Sequence, residues 1–434
     1  MPNRKLSCRI TAGILLASIL LLAPACSTVP ANAPEQRGGP YLVLVSFDGF
    51  RWDHAAMTDT PAMDRMAREG LKAEALQPAF PTFTFPNHYS IATGALPWRH
   101  GIVANDFPND SGSDWYHLKE RETVEDGRWY LVEPIWVTAE KAGMRTAAYY
   151  FVGTEADVGG IRPTRWRSFD PDVPGSERVL QVLDWLSEPV TTRPRLVTLY
   201  FEDVDSYGHW YGPEAEETRE AIRRVDGYLG DLLDGITKLP HGREVNVILV
   251  SDHGMAYYRP GEPFVLDEWL DLDGTTIINS GPQAFVHIDG GDTGRARAMR
   301  DVINRNWDCG AAYLPGELPP AWRAGESDRY PELFVQANDG CAVITSEAGR
   351  RKITAADHGW SPEMREMHGI FYATGPRIPA GARAGVAQVT DVHPMMLEIL
   401  GLTAPGPTDG DPKSLATFLL PGDARADNMK TGQR

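Results

Sequence analysis

Positive charge is scarce in this chain of 434 residues: 42 Lys and Arg stand against 59 Asp and Glu, a formal net charge of −17. A general nucleic-acid binder carries a basic footprint, so no binding to a nucleic-acid polymer is expected. An acidic protein that handles phosphate needs local positive charge, which metal ions can supply. Cysteine is scarce as well, with four in all. Neither Cys309 nor Cys341 has a His or a second Cys at metal-binding spacing, which argues against a cysteine-ligated metal. The N-terminal apolar run, residues 12–25, is fourteen residues long, short of the roughly 20 that a spanning helix needs. What remains, 42% apolar and 23% charged residues, is the composition of a folded globular protein. The length suffices for one large α/β domain with an insertion, or for two domains.

Arg4, Lys5 and Arg9 precede the apolar run, so residues 1–26 read as a signal peptide and export is expected. Loss of those three basic residues takes the net charge from −17 to −20. The segment Leu22-Ala23-Pro24-Ala25-Cys26-Ser27 resembles a bacterial lipoprotein signal, with Ala23 where Leu is usual. A lipid anchor on Cys26 and plain cleavage, for example after Ala33, are the two outcomes, giving an outer-membrane lipoprotein or a periplasmic protein. Residues 27–39, rich in Ala, Pro and Gly, read as a tether, and 421–434 as a flexible tail. Only Cys309 and Cys341 then remain. In an exported chain a disulfide between them is favoured over two buried thiols, and closing a loop of about 30 residues contributes roughly 3–4 kcal/mol.

Residues 41–47 (YLVLVSF) form a nearly continuous apolar run, the pattern of a strand buried on both faces in a parallel sheet. It ends at Asp48-Gly49, and ligands collect beyond the carboxyl ends of strands in such sheets. Residues 196–201 (LVTLYF) lead in the same way to Asp205 and His209, and 245–250 to Asp252-His253-Gly254. Thr60-Pro61 and Gly70 bracket a helix as N-cap, first-turn proline and C-terminal glycine. Further helical spacing covers 134–142, 176–186, 214–236 and 391–400, and further strands 146–151 and 369–373. Strand, acidic turn and helix recurring three times predict an α/β fold, a central mostly parallel sheet with helices on both faces. Residues 258–345 read as an inserted α+β subdomain with a strand at 284–288 and a helix at 294–306. The catalytic domain would then comprise 40–257 and 346–420. There is no internal repeat.

The stretch from Pro81 to Tyr89 places Thr84 at or just before a helix start, with Pro86 in the first turn. Backbone donors and the helix dipole favour an anion there, whether a phosphate or an ionised Thr oxygen. Alone, the stretch reads more readily as a Thr cap followed by a short helix. Its company is what distinguishes it: Asp48, Asp205, His209, Asp252, His253 and His358, a carboxylate and imidazole set suited to zinc. Asp205 and His209 share a face if that segment is helical, while Gly208 between them leaves a turn open.

The motifs SFDGFR (46–51), TFPNHY (84–89), D-x-x-G-H (205–209), SDHGM (251–255) and HGW (358–360) resemble those of the nucleotide pyrophosphatase/phosphodiesterase family of the alkaline phosphatase superfamily. The likeness extends over roughly residues 41–405. It implies an alkaline-phosphatase-like fold with two zinc ions per chain. Asp48, Thr84, Asp252 and His253 would hold one, and Asp205, His209 and His358 the other. It further implies a Thr84 nucleophile that forms a covalent phosphoryl intermediate. Asn105, in GIVAN, with backbone N–H groups near Phe85, would bind a non-bridging oxygen, and Phe85 and Tyr200 would face each other across a nucleobase. The expected substrate is a small-molecule phosphodiester or nucleotide. One alternative is a phospholipid-headgroup phosphodiesterase, with Tyr207, Trp210 and Tyr211 lining a choline pocket; another is a non-catalytic exported metal-binding protein. A phosphomonoesterase lacks an identifiable Lys or Arg for a terminal phosphate, and a sulfatase would need Cys or Ser at position 84. His88 reads as a structural residue, with an orienting role as the alternative. His54, His100, His117, His241, His287 and His393 read as structural or exposed.

Overall fold

Each residue of strand β1 (Tyr41–Phe47) is buried, in alternation on two sides. Leu42 and Leu44 enter one hydrophobic core, and Tyr41, Val43, Val45 and Phe47 enter another. This explains the unbroken apolar run, since a strand covered on both faces has no polar side to show. The computed structural model describes residues 39–278, 281–346 and 354–421. The leader, residues 27–38 of the tether and residues 422–434 of the tail lie outside the described residues, as does Cys26.

The central sheet has eight strands: β1, β2 (Leu71–Gln77), β3 (Thr146–Tyr149), β4 (Arg165–Trp166), β5 (Leu196–Phe201), β6 (Val245–Val250) and two more near the C-terminus. Between β6 and that last pair lie the strands of a second sheet, β7 (Thr275–Ile278), β8 (Gln283–Ile288), β9 (Gly310–Tyr313) and β10 (Leu333–Ala337). The last pair is β11 (Phe371–Thr374) and β12 (Ala382–Gln388). The central order is β12-β2-β11-β6-β1-β5-β3-β4. Only β11 runs against its neighbours.

One face of the sheet carries α1 (Pro61–Glu69), and the other carries α2 (Thr84–Thr93) and α3 (Ile135–Lys141). Helices α4 (Gly175–Ser187), α5 (Asp203–Tyr211) and the long α6 (Glu216–Lys238) contribute to the α1 side. The second sheet is antiparallel in the order β7-β8-β10-β9, and α7 (Thr293–Asn306) covers one of its faces. Its other face sends Phe285 and Phe334 against Phe80, whose ring stacks on Trp322 at 4.6 Å. Cys309 and Cys341 are joined in a disulfide. Helix α8 (Val392–Leu400) closes the α2 face. Among the described residues no helix is long and apolar enough to cross a membrane.

The ends of α1 depart from the sequence reading. Thr60 makes no side-chain cap bond; the N–H groups of Ala62 and Met63 instead bond the Asp226 carboxylate of α6, at 3.0 and 2.9 Å. Gly70 has φ −149°, so no left-handed turn requires it. A Cβ there would lie 1.9 Å from the Ala373 carbonyl oxygen of β11, and close approach is the reason for the glycine. Strands β2 and β12 carry no strand signal in the sequence: LKAEALQ has the composition of a helix former, and ARAGVAQ has a single β-branched residue.

Candidate active site and metal centre

β6, β1 and β5 are adjacent and parallel, so the residues that follow them converge at one edge of the sheet. Asp48 follows β1, Asp252 follows β6, and Asp205 lies one turn into α5 after β5. Gly49 has φ +65°, and a Cβ on it would lie 2.7 Å from the Asp205 Cα. A side chain would therefore push apart two of the three carboxylates. Asp205 and His209 are one helical turn apart with Oδ1 and Nε2 at 3.5 Å, which settles that segment as helix. His358 enters from the segment after the second sheet, its Nε2 3.8 Å from Asp205 Oδ1.

Thr84 is the first residue of α2, and its Oγ1 lies 3.2 Å from His253 Nε2. The same nitrogen is 3.1 Å from Asp252 Oδ2 and 3.5 Å from Asp48 Oδ1. Each of the three histidines is fixed by a backbone carbonyl: Nδ1 of His253 bonds Gly254, that of His358 bonds Thr82, and that of His209 bonds Ala356, at 2.8–3.1 Å. A carbonyl only accepts, so Nδ1 carries the hydrogen and Nε2 offers a lone pair to the site. The His253 and His358 rings stack at 3.7 Å.

Asp48 Oδ1, Asp205 Oδ1 and Asp252 Oδ2 are buried with no hydrogen-bond partner among the described residues. Burial, and then the nearby Asp252 and Asp205, hold the Asp48 carboxyl well above the usual carboxylate range. Burial and the neighbouring His253 push His358 down to about 4. Three crowded, unpaired carboxylate oxygens facing imidazole lone pairs are costly in a low dielectric unless a cation sits among them, and the donor set fits zinc. All seven residues expected from sequence come together, and the possible ligand atoms group as Asp205, His253 and His358; as His209, Asp357 and His358; and as Asp48, His88 and Asp252. Asp357 joins them, its Oδ1 3.7 Å from His209 Nδ1; the sequence reading passed over it although it precedes His358.

Beside Thr84 opens a cavity of about 240 Å³, lined in part by Phe85, Asn105, Phe151, Phe169 and Tyr200. Two bulky residues in its wall, Tyr150 and Phe151, hold φ of +65° and +146°. Such conformations cost on the order of 1–3 kcal/mol each and concentrate at functional sites. The Phe85 N–H, expected as an oxyanion donor, is bonded to Asn105 Oδ1 at 3.1 Å. That bond orients Asn105 and leaves its Nδ2 as the donor. Tyr200 lines the cavity, but its hydroxyl is donated to Asp48 Oδ2 at 2.5 Å. Phe151, Phe169 and the Arg121–Glu155 ion pair also line it; they follow no motif, and nothing in the sequence marked them. Tyr207, Trp210 and Tyr211 do not line the cavity. Tyr207 packs on Arg224 of α6, and Trp210 is 64% exposed.

The sheet and this site define an α/β protein of alkaline-phosphatase-like fold. Its sequence matches the family described as type I phosphodiesterase / nucleotide pyrophosphatase over residues 42–369, and the chain belongs to that family. It is 33% identical over 400 residues to ectonucleotide pyrophosphatase/phosphodiesterase family member 1 of Homo sapiens, covering 89% of this chain and 43% of the relative. The chain thus spans less than half the length of that protein. It is 32% identical to the bis(5'-adenosyl)-triphosphatase of Bos taurus, with 90% of this chain and 84% of that one covered. The solved structure of murine ectonucleotide pyrophosphatase/phosphodiesterase 5 superposes with a TM-score of 0.82 at 27% identity, over 88% of this chain and 100% of that one.

Proposed function

We propose that this chain is an exported two-zinc phosphodiesterase that hydrolyses phosphodiester or pyrophosphate bonds of nucleotides and releases a nucleoside monophosphate. The observation that carries this is Thr84 Oγ1 at the start of α2, 3.2 Å from His253 Nε2 and at the wall of an aromatic cavity. Family membership supports it, as do a relative named as a dinucleoside triphosphatase and a murine member-5 structure, inactive through a threonine-to-alanine change, in complex with AMP.

Asp48, Thr84, Asp252 and His253 would hold one zinc ion, and Asp205, His209 and His358 the other. Bound there, the two ions would lower the pKa of the Thr84 hydroxyl and offset the charge of the reacting phosphate. Thr84 Oγ1 attacks phosphorus as the leaving alcohol or phosphate departs, giving a nucleotidyl-threonine whose P–Oγ1 bond water then breaks, which releases the nucleoside monophosphate and restores the threonine. Asn105 Nδ2 donates to a non-bridging oxygen as charge builds on it. Phe85 offers one face for a base, and Tyr200 and Phe169 form the aromatic wall nearby; base stacking on an aromatic is worth about 1–3 kcal/mol. Residues 40–257 and 346–420 would form the catalytic part and 258–345 the insertion. Export, with or without a lipid on Cys26, rests on the leader.

The test compares kcat/KM of the zinc-loaded protein on p-nitrophenyl phosphate, bis-p-nitrophenyl phosphate and the p-nitrophenyl ester of thymidine monophosphate. Strong preference for the thymidine diester is expected. Preference for the monoester would make the protein a phosphatase, and no turnover of any of them would overturn the reading.

A further inference from the structure

Ser46 and His88, neither of them used in the reaction above, form a buried chain with Asp252. Ser46 Oγ lies 2.8 Å from His88 Nε2, and His88 Nδ1 lies 3.0 Å from the Thr84 carbonyl oxygen and 3.1 Å from Asp252 Oδ2. The connectivity is that of a Ser-His-Asp nucleophilic triad. Burial rules that use out. All three residues are 0% exposed, and neither Ser46 nor His88 lines the cavity, so no substrate atom can meet the serine.

Hydrogen bonds of the imidazole tie β1, through Ser46, to the first turn of α2, through Thr84, and the same Nδ1 lies 3.1 Å from Asp252 in the turn after β6. The Thr84 carbonyl only accepts, so His88 Nδ1 carries the hydrogen and Nε2 takes the Ser46 hydroxyl hydrogen. Both ring nitrogens are thereby committed. Phe151 and Tyr200 clamp the ring edge-on, with centroids at 5.0 and 5.4 Å. Tyr200 is itself bonded to Asp48, and Phe151 belongs to the strained cavity wall. A rotation of this imidazole would shift the nucleophile, Asp252 and the wall together.

We propose that His88 is the positioning residue that sets Thr84 against Asp252, fixing the nucleophile relative to the carboxylate that shares its zinc. The proposal rests on the two-zinc reading above. It is tested in the full chain with His88→Asn, His88→Gln and Ser46→Ala, reading zinc affinity by chelator competition, metal-free Tm, and kcat and KM separately. Asn places a side-chain N–H near the position of Nδ1, whereas Gln reaches only the position of Nε2. Outer partners of metal ligands typically govern about 10- to 100-fold in affinity, so His88→Gln should lose that much at one of two zinc sites while His88→Asn stays within about threefold. In His88→Gln, kcat should fall with KM little changed. Ser46→Ala leaves the ring in place and frees one nitrogen, so it should lose zinc affinity severalfold with the fold intact.

Wild-type zinc affinity in His88→Gln would overturn the proposal. So would equal losses of zinc affinity and metal-free Tm in the Asn and Gln variants, which would make His88 a packing residue. If both His88 variants fail to fold, unchanged zinc affinity and kcat in Ser46→Ala would overturn it. A wild-type protein that binds no zinc would overturn the two-zinc reading itself, and this proposal with it.

Discussion

The Tyr200 hydroxyl lies 2.5 Å from Oδ2 of Asp48, so Tyr200 holds that carboxylate in place while its ring forms cavity wall. Burial and the adjacent Asp48 raise the Tyr200 phenol well above its ordinary pKa, and it acts as a donor throughout the working pH range. Tyr200→Phe keeps the ring and removes the donor. Leaving a buried carboxylate oxygen without its hydrogen bond costs about 1–3 kcal/mol. The expected result is a kcat lowered roughly tenfold or more with KM for a nucleotide ester little changed, since 1.36 kcal/mol is tenfold in rate. A rise in KM with kcat intact would show that Tyr200 serves the base alone.

Thr84→Ala should abolish turnover while leaving the fold and zinc binding largely intact, because three of the ligands proposed for the zinc on its side, Asp48, Asp252 and His253, remain. Metal analysis and circular dichroism on the purified variant check both halves. Full activity would end the nucleophile assignment.

Stripping metal should lower thermal stability as well as activity. The orphaned oxygens of Asp48, Asp205 and Asp252 repel one another without a cation. A ligand that binds only the native state at 100 times its Kd adds about 2.7 kcal/mol. Tm measured with and without a zinc chelator should therefore fall by several degrees and recover on adding zinc back. An unchanged Tm would contradict a metal site at these residues.

Acid should destabilise the protein through two buried histidines outside the expected metal-binding set. Burial pushes His100 down to about 3 and His393 down to about 4. Above the ordinary His value of about 6.5 neither state binds the proton and these residues contribute no pH dependence. Below it the unfolded chain takes up protons that the folded chain refuses. Stability then falls by about 1.4 kcal/mol per pH unit per histidine, down to pH 4 for His393 and pH 3 for His100. Urea unfolding of zinc-loaded His393→Met against wild type at pH 7 and pH 5 should show a shallower loss in the variant. Equal slopes would mean that His393 is protonated in the fold.

Replacing Cys309 and Cys341 by Ser should cost about 3–4 kcal/mol, the loop-closure value for their spacing. The loop they tie down also accepts the Trp360 indole N–H on the Cys341 carbonyl at 3.0 Å, two residues beyond His358. Urea unfolding measures the first effect, and zinc affinity reads whether His358 loosens with it. A double variant as stable as wild type would show that the bridge adds nothing to stability.

The strands that carry the site were legible because each is a contiguous apolar segment ended by an acid. Tyr41–Phe47, Leu196–Phe201 and Val245–Val250 coincide with the bounds read from the chain. Burial on both faces leaves a local mark, and so does a carboxylate at a strand end. β2 and β12 left none: LKAEALQ and ARAGVAQ become strands by pairing with each other, Leu71 opposite Ala382, and a pairing partner more than 300 residues away is invisible to local periodicity. The end of α1 is similar, capped by Asp226 rather than by the Thr beside it.

For the site, five short motifs and the family resemblance they carry were enough to name the carboxylates, the imidazoles and the threonine that the strand ends bring together. Which atoms they use was decided in three dimensions. The Nε2 atoms of His209, His253 and His358 face the site because backbone carbonyls occupy Nδ1. Asn105 takes the Phe85 N–H, Tyr200 spends its hydroxyl on Asp48, and His88 joins Ser46 to Thr84. Each of these is a hydrogen bond of about 3 Å, effective only within a few tenths of an ångström. Most of them join residues many tens of positions apart, brought together only by the convergence of the strand ends.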